Sequence, residues 1–252
     1  KREALGRLLG QAEVIFEYRS TEASGPAEHR MEFRQGFFGF YERLWSLINL
    51  RNPKQHFQDG LFLLDVSVFE ERIVREAILN AISHRDYQLG GSVFVRQYPH
   101  RLVVESPGGF PPEITLENIL DRQSPRNRRI ADIFARCGLV ERSGQGMNLM
   151  FEISIKQAKR LPDFRGTDRF QVVLALDGNV QDPELLKVME EIGQETLASF
   201  STQDFLVVNA VYRGLPVPEV YGDRLPRLLN LGIVERGARR QLVLGRRFYE
   251  AT

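Results

Sequence analysis

One helix constrains this chain more than any other feature, because it combines apolar faces with a stripe of polar side chains. The stretch EAILNAISHRDY covers residues 76–87, and Glu76, Asn80 and His84 stand four residues apart in it. At 3.6 residues per turn these side chains advance about 40° per step, so they lie on one face. The other faces carry Ala, Ile and Leu, which favours burial. Such a stripe faces either water or a ligand, and its spacing leaves both interpretations open.

The order of the remaining elements predicts an α+β domain over residues 1–178. The expected elements are strands at 12–20 and 29–37, a helix at 40–50, the striped helix from 68–71 to before residue 90, a strand pair at 91–110, a helix from 147 and a strand at 169–178. A basic segment before residue 143 is predicted to be irregular. The glycine-rich turn at 143–146 opens a helix, and such a turn is where backbone N–H groups converge on a phosphate.

The tail, residues 182–252, changes character after a polar linker at 177–182. Its order of three helices and a hairpin is typical of a winged helix-turn-helix. Pro226 is tolerated only in a first turn, so Asp223 is the expected N-cap of a short recognition helix. Residues 201–252 hold eight Arg against five acidic residues, which favours contact with the phosphates of double-stranded DNA. A small interaction or dimerisation module is the alternative. The candidate DNA contacts are Arg224, Arg227, Arg236, Arg239, Arg240, Arg246 and Arg247.

Composition bounds the class of protein. A content of 42% hydrophobic and 27% charged residues in 252 is that of a globular chain, and no apolar run approaches the roughly 18 residues of a membrane span. We therefore expect a cytoplasmic protein with no membrane partner, and the start at Lys1 indicates a fragment of a longer one. One Cys and four scattered His exclude a disulfide framework and a metal site built from these residues. A net charge of +1 gives no global argument for nucleic acid.

Four stretches occur in the order of a known family. REAILNAISHRDY, VVESPGGFPPE, SPRNRRIADIFARCGLVERSGQGMNLM and PDFRGTDRFQVVL resemble successive blocks of the ATP-dependent DNA helicase RecG C-terminal domain family. That family is similar to the GHKL ATPases, which implies a two-layer α/β sandwich, and its members often carry a Schlafen-type N-terminal domain and a C-terminal winged helix. Nothing in this sequence supports a helicase motor, because it has no G-x-x-x-x-G-K-[ST] motif.

The resemblance also implies roles for single residues, with ATP and Mg²⁺ as cofactors. Glu76 matches the carboxylate that activates the attacking water, and Asn80 matches the ligand of Mg²⁺. The segment from Ser106 to Phe110 matches the adenine loop, although Ser106 stands where that loop has Asp and Phe110 where it has its last glycine. The remaining candidates, for the adenine loop, the phosphates, the lid or a helix cap, are Gly108, Gly109, Gly144, Gln145, Gly146, His84, Asp86, Arg126 and Asn127.

Three functions follow from these patterns. The first is a DNA-binding transcriptional regulator whose pocket senses a ligand such as ATP. The second is a Mg²⁺-dependent ATPase coupled to DNA, favoured by the presence of both Glu76 and Asn80. The third is a non-catalytic interaction module, and Ser106 and Phe110 favour the first or the third. Hydrolysis and homodimer formation are left open by the sequence.

Overall fold

A computed structural model describes residues 12–23, 25–59, 62–139, 146–237 and 241–249. The chain divides into two compact units, with borders after Met150, Lys159 and Asn179. Residues up to 150 and 160–179 form the first unit, and residues 151–159 and those from 180 onward form the second. Residues 151–159, which the sequence analysis assigned to the first domain, therefore fall in the second unit. Among the described residues, no helix has the length and the apolar content needed to cross a membrane.

The first unit is built around a five-stranded sheet. Its strands run in the order β2-β1-β5-β6-β7, with β1 and β5 parallel and every other neighbouring pair antiparallel. Strands β3 and β4 form a separate antiparallel pair. The elements that begin in this unit are β1 (Val14–Tyr18), β2 (His29–Phe33), α1 (Phe37–Asn49), β3 (Lys54–Asp59), β4 (Phe62–Ser67), α2 (Glu71–His84), β5 (Val93–Tyr98), β6 (Arg101–Pro107), α3 (Arg128–Arg136), α4 (Gly146–Lys156) and β7 (Gln171–Asp177).

One face of this sheet is apolar and fully buried. Phe16 stands opposite Val95, Val95 opposite Val104, and Val104 opposite Leu174, so these four side chains point to the same side. None of them is more than 5% exposed. The sequence predicted β5 and β6 as two strand-like runs, VFV and LVV, joined by a turn around residues 98–100.

Two polar side chains on the apolar face show which helices cover it. The Gln97 amide donates to the carbonyls of Ile48 and Arg51 at the end of α1, both at 3.0 Å. The Ser106 hydroxyl donates to the Ala81 carbonyl of α2 at 2.8 Å. Both helices therefore pack on this side, which gives the mixed α+β arrangement that the sequence predicted.

The opposite face of the sheet carries a ladder of charges around a buried carboxylate. Glu17 is 4% exposed and pairs with Arg30 at 2.7 Å, Arg19 at 3.1 Å and Arg96 at 3.2 Å. Arg96 also pairs with Glu105 on the next strand. Burial by itself raises the pKa of Glu17, but hydrogen bonding to Arg19 and the charge of Arg96 hold the pKa below its ordinary value.

Three elements of this unit differ from the prediction or were absent from it. Strand β3 was missed because Lys54–Asp59 is almost entirely polar, and its partner β4 was missed with it. The basic segment predicted as irregular contains helix α3, in which Ile130 and Phe134 stand one helical turn apart. The arginines on both sides of these two residues obscured the helical period.

The second unit contains α5 (Pro183–Ile192), α6 (Gln194–Ala198), α7 (Thr202–Tyr212), α8 (Leu225–Asn230), β8 (Val234–Arg236) and β9 (Leu242–Leu244), with 3-10 turns at Glu219–Arg224 and Arg246–Phe248. β8 and β9 pair antiparallel. The expected N-cap Asp223 is wrong by one residue, because a 3-10 turn runs through Asp223 and Arg224 caps α8. The short helix is as predicted, with six residues and Pro226 in its first turn. The winged-helix assignment itself stays a prediction.

A buried carboxylate holds α8 to α7 in the second unit. Asp204 is 0% exposed and forms a capping box with Ser201 at the start of α7. The Arg227 guanidinium of α8 pairs with Asp204 at 3.0 Å and donates to the Ser199 carbonyl at 2.7 Å. Arg227 therefore neutralises a charge that would otherwise be buried without a cationic partner.

Candidate functional site

A cavity of about 310 Å³ lies in the first unit, above β6 and β7. Helix α2 forms one wall, and residues 109–125 together with α3 form the other. This volume is at the lower end of the range of ligand pockets, about 300–1,000 Å³. Most lining side chains are apolar, including Ala77, Ala81, Val104, Phe110, Pro111, Ile114, Ile119, Ala131, Phe134, Met147, Phe164, Val172 and Leu174.

The polar stripe of α2 faces this cavity. Glu76, Asn80 and His84 all line it, so the ligand-facing interpretation describes the stripe better than the solvent-facing one. The Asn80 amide nitrogen donates to Glu76 Oε1 at 3.1 Å, and Glu76 is 8% exposed. Because the amide nitrogen is turned toward Glu76, this hydrogen bond fixes the orientation of both side chains on the pocket wall.

Gly146, the first residue of α4, touches the Glu76 carboxylate directly. A Cβ atom added at Gly146 would overlap the carboxylate oxygen and carbon of Glu76. Glycine at this position therefore makes room for the carboxylate at the start of a helix, where the helix dipole favours a negative charge. Gly144 and Gln145, the other residues of this predicted phosphate turn, lie outside the described residues.

Ser106 lies on the floor of the cavity and is 5% exposed. Its hydroxyl proton is used in the bond to the Ala81 carbonyl at 2.8 Å. Toward a ligand, Ser106 Oγ therefore acts as a hydrogen-bond acceptor.

The second wall is held to the end of α2 by a set of contacts that we call the clasp, formed by residues 83–86 and 124–127. The last carbonyls of a helix have no partner within it. The Asn127 amide nitrogen donates to two of these carbonyls, that of Ser83 at 2.9 Å and that of Arg85 at 2.7 Å. Arg126 pairs with Asp86 at 3.2 Å and donates to the Gly109 carbonyl at 2.7 Å. These contacts fix the wall on α2.

The two glycines after Pro107 are required by close packing. Gly108 has φ +94°, and a Cβ atom there would overlap the Arg126 guanidinium and approach Asp86 Cβ to 2.6 Å. A Cβ atom at Gly109 would lie 2.5 Å from the Asp168 carbonyl oxygen and 3.0 Å from Arg169 Cα. Of the glycine pair that resembles an adenine loop, Gly108 thus also serves the packing of the clasp, and Gly109 that of the segment before β7.

His84 links the cavity to the clasp. Burial lowers the pKa of the His84 imidazole, the charge of Arg126 lowers it further, and a hydrogen bond to the Ser124 backbone offsets part of this effect. The imidazole is therefore neutral at pH 7.

Of the residues expected at the cofactor, Glu76, Asn80, His84, Ser106, Gly109 and Gly146 line the cavity. Asp86, Gly108, Arg126 and Asn127 do not line it, and they support its wall through the clasp. Arg122 lines the cavity and was not among the predicted site residues, although the sequence places it in the basic segment.

The arginines expected at DNA fall into three groups. Arg224 pairs with Asp223 at 3.1 Å, and Arg227 is held by Asp204. Arg236, Arg246 and Arg247 are exposed, and no described residue forms an ion pair with any of them. Arg239 and Arg240 lie outside the described residues.

Within the part of the chain that the structure describes, no three His, Cys, Asp or Glu side chains gather as a metal site. Mg²⁺ commonly takes few protein ligands and completes its shell with phosphate oxygens and water. The Asn80 amide fits one such position, because its nitrogen is engaged by Glu76 and its oxygen is the remaining donor to a metal.

The lowered pKa of His84 predicts a stability that falls with acidification. Below about pH 6.5 the unfolded chain binds more proton at this position than the folded chain does, so the free energy of unfolding decreases as pH falls. We expect His84→Asn to flatten this dependence. Urea-unfolding midpoints from about pH 7.5 to about pH 5.5, followed by the fluorescence of the single Trp45 in α1, measure it. His100→Asn removes an exposed imidazole as the control, and equal changes in both variants would contradict the assignment.

The comparisons with known proteins agree with this fold. The family model described as "Putative ATP-dependent DNA helicase recG C-terminal" matches residues 90–174. No curated protein matches the chain. The crystal structure of the DIP2311 protein from Corynebacterium diphtheriae is similar, with a TM-score of 0.77 and 22% sequence identity over 96% of this chain and 53% of that one. This chain thus spans about half of that protein, and the likeness shows a shared mixed α+β fold. The match of this family model supports, over residues 90–174, the resemblance inferred from the sequence blocks.

Proposed function

We propose that this chain is a DNA-binding transcriptional regulator of the cytoplasm. In this proposal the first unit is a GHKL-type sandwich whose cavity senses ATP, and the second unit is a winged helix. The observation that carries the nucleotide half is the convergence of Glu76, Asn80 and Ser106 on one cavity. A purine ring suits its apolar lining, and the Ser106 acceptor suits the amino group of adenine.

The DNA half is supported by the arginines of the hairpin region. Arg236 ends β8, and Arg246 and Arg247 begin the 3-10 turn that follows β9, so all three lie in the hairpin or directly after it. They are exposed and without ion pairs among the described residues, which suits contact with phosphates. Arg224 and Arg227 are left out of the proposal, because each already pairs with an acidic residue. Contacts to phosphates of this kind carry no sequence information.

Adenine recognition predicts a preference that ligand analogues test without altering the protein. The Ser106 oxygen accepts from the adenine amine, whereas guanine presents an acceptor there, which leaves two acceptors facing each other. An unpaired buried polar group costs about 1–3 kcal/mol, or roughly 5- to 150-fold in affinity. We expect calorimetry to show ATP binding weakly, in the high micromolar range, with GTP and N6,N6-dimethyl-ATP weaker still. Equal affinity for all three would place Ser106 away from the base.

DNA binding predicts a salt dependence that follows the arginines of the second unit. We expect the full chain to shift long duplex DNA at low salt, and Arg246→Gln with Arg247→Gln to weaken binding to every sequence. The slope of log affinity against log salt should fall by about 0.9 for each lost phosphate contact. The matched control is Arg128→Gln with Arg129→Gln, which removes the same charge from α3. The proposal fails if wild type gives no shift, or if the control lowers the slope as much.

A Mg²⁺-dependent ATPase is the second candidate function, and the Glu76–Asn80 pair favours it. The carboxylate is fixed at 3.1 Å from the Asn80 amide nitrogen on the same wall, so a general base and a metal ligand address one region of the cavity. When bound, Mg²⁺ would neutralise charge on the phosphates. Glu76 itself would accept the proton of the attacking water.

This candidate predicts a split between binding and turnover. Glu76→Gln keeps the size of the side chain and removes the base, so we expect ATP affinity to stay within about threefold while any phosphate release falls by about 10²-fold or more, the low end for a general base. Steady-state phosphate release, measured beside calorimetry on the same samples, checks it. Asn80→Ala is the companion variant and should remove the Mg²⁺ dependence of binding. Wild-type protein that binds ATP and releases no phosphate would leave the sensor as the function of the cavity.

A further inference from the structure

Arg122 is the one permanently cationic side chain among the described residues that line the cavity. The other charged lining residues are Glu76 and Asp132, and His84 is neutral at pH 7. Arg122 is exposed, and no described residue forms an ion pair with it. Its guanidinium therefore keeps its donors for a partner that the described residues do not supply.

The backbone of Arg122 is held on both sides. Before it, the Arg122 N–H donates to the Asn118 carbonyl at 2.9 Å, and the Asn118 side chain donates to the Glu113 carbonyl at 3.0 Å. After it, the clasp begins two residues later at Ser124. The long cationic side chain of Arg122 thus extends from a backbone that is already ordered. Little conformational entropy of the backbone is lost when Arg122 binds a ligand.

The neighbouring arginine of the same segment is not available to bind a ligand in the cavity. Arg126, which the sequence analysis placed at the cofactor, is engaged by Asp86 and the Gly109 carbonyl and does not line the cavity. Its role is to position the wall. The two arginines therefore differ, since Arg126 is paired within the wall and Arg122 forms no ion pair with a described residue, although the sequence pattern treats them alike.

We propose that Arg122 binds a phosphate group of the nucleotide in the cavity and sets the preference for phosphorylated over unphosphorylated ligands. This inference rests on the proposed nucleotide sensing. A guanidinium donates two parallel hydrogen bonds to a phosphate, and such charge-assisted bonds are roughly twice as strong as neutral ones. Their loss should lower affinity by about tenfold or more.

The test is calorimetry of the full chain with ATP, ADP and adenosine, using Arg122→Gln and Arg122→Lys. We expect Arg122→Gln to lose about tenfold in affinity for ATP and ADP and nothing for adenosine, and Arg122→Lys to recover part of the loss because it restores the charge. Arg128→Gln is the matched control, since Arg128 is an exposed arginine of the same segment that does not line the cavity.

The outcomes separate this inference from the proposed function. If wild type binds ATP and Arg122→Gln binds it equally well, or if adenosine affinity falls as much as ATP affinity, Arg122 does not contact a phosphate and nucleotide sensing still stands. The same conclusion follows if Arg128→Gln weakens ATP binding as strongly. If wild type binds neither ATP nor adenosine, both proposals are overturned.

Discussion

The carbonyl groups at the end of α2 are the constraint on which the site depends. A helix that stops inside a protein must find donors for its last carbonyls, since each unpaired buried group costs about 1–3 kcal/mol. Asn127 supplies these donors from more than 40 residues away along the chain. The hydrogen bonds from Asn127 therefore do two things. They supply donors to the carbonyls at the end of α2, and they hold the wall that bears Arg122 against the wall that bears Glu76.

Much of the first unit was predictable because its pattern is local. The apolar runs of β5 and β6 and the helical spacing of the stripe on α2 are visible in neighbouring residues, so these three elements were predicted. Contacts between side chains that lie far apart in the chain could not be predicted from such local patterns. Asp86, Arg126 and Asn127 were expected at a cofactor because of their order in the chain, and their contacts with one another depend on the path of the segment between them. Arg122 and Arg126 look alike in sequence and differ only in what surrounds them.

Both units bury a carboxylate and neutralise it with arginine. Glu17 lies under three guanidinium groups on the sheet, and Asp204 lies under Arg227 in the second unit. Removing one partner of such a pair leaves an uncompensated charge, which costs more than the pair contributes. The arginines of this chain are consequently of two kinds, those that maintain the fold and those that remain for ligands, and a count of basic residues does not distinguish them.

The contact between Gly146 and Glu76 has a consequence for how the two positions change through evolution. A glycine-rich turn before a helix usually indicates room for a phosphate, whereas here the missing side chain makes room for a carboxylate. A lineage that enlarges residue 146 must also shorten residue 76 or move its carboxylate away from the start of α4. We therefore expect a family of such chains to show covariation between the two positions even where no ligand is bound.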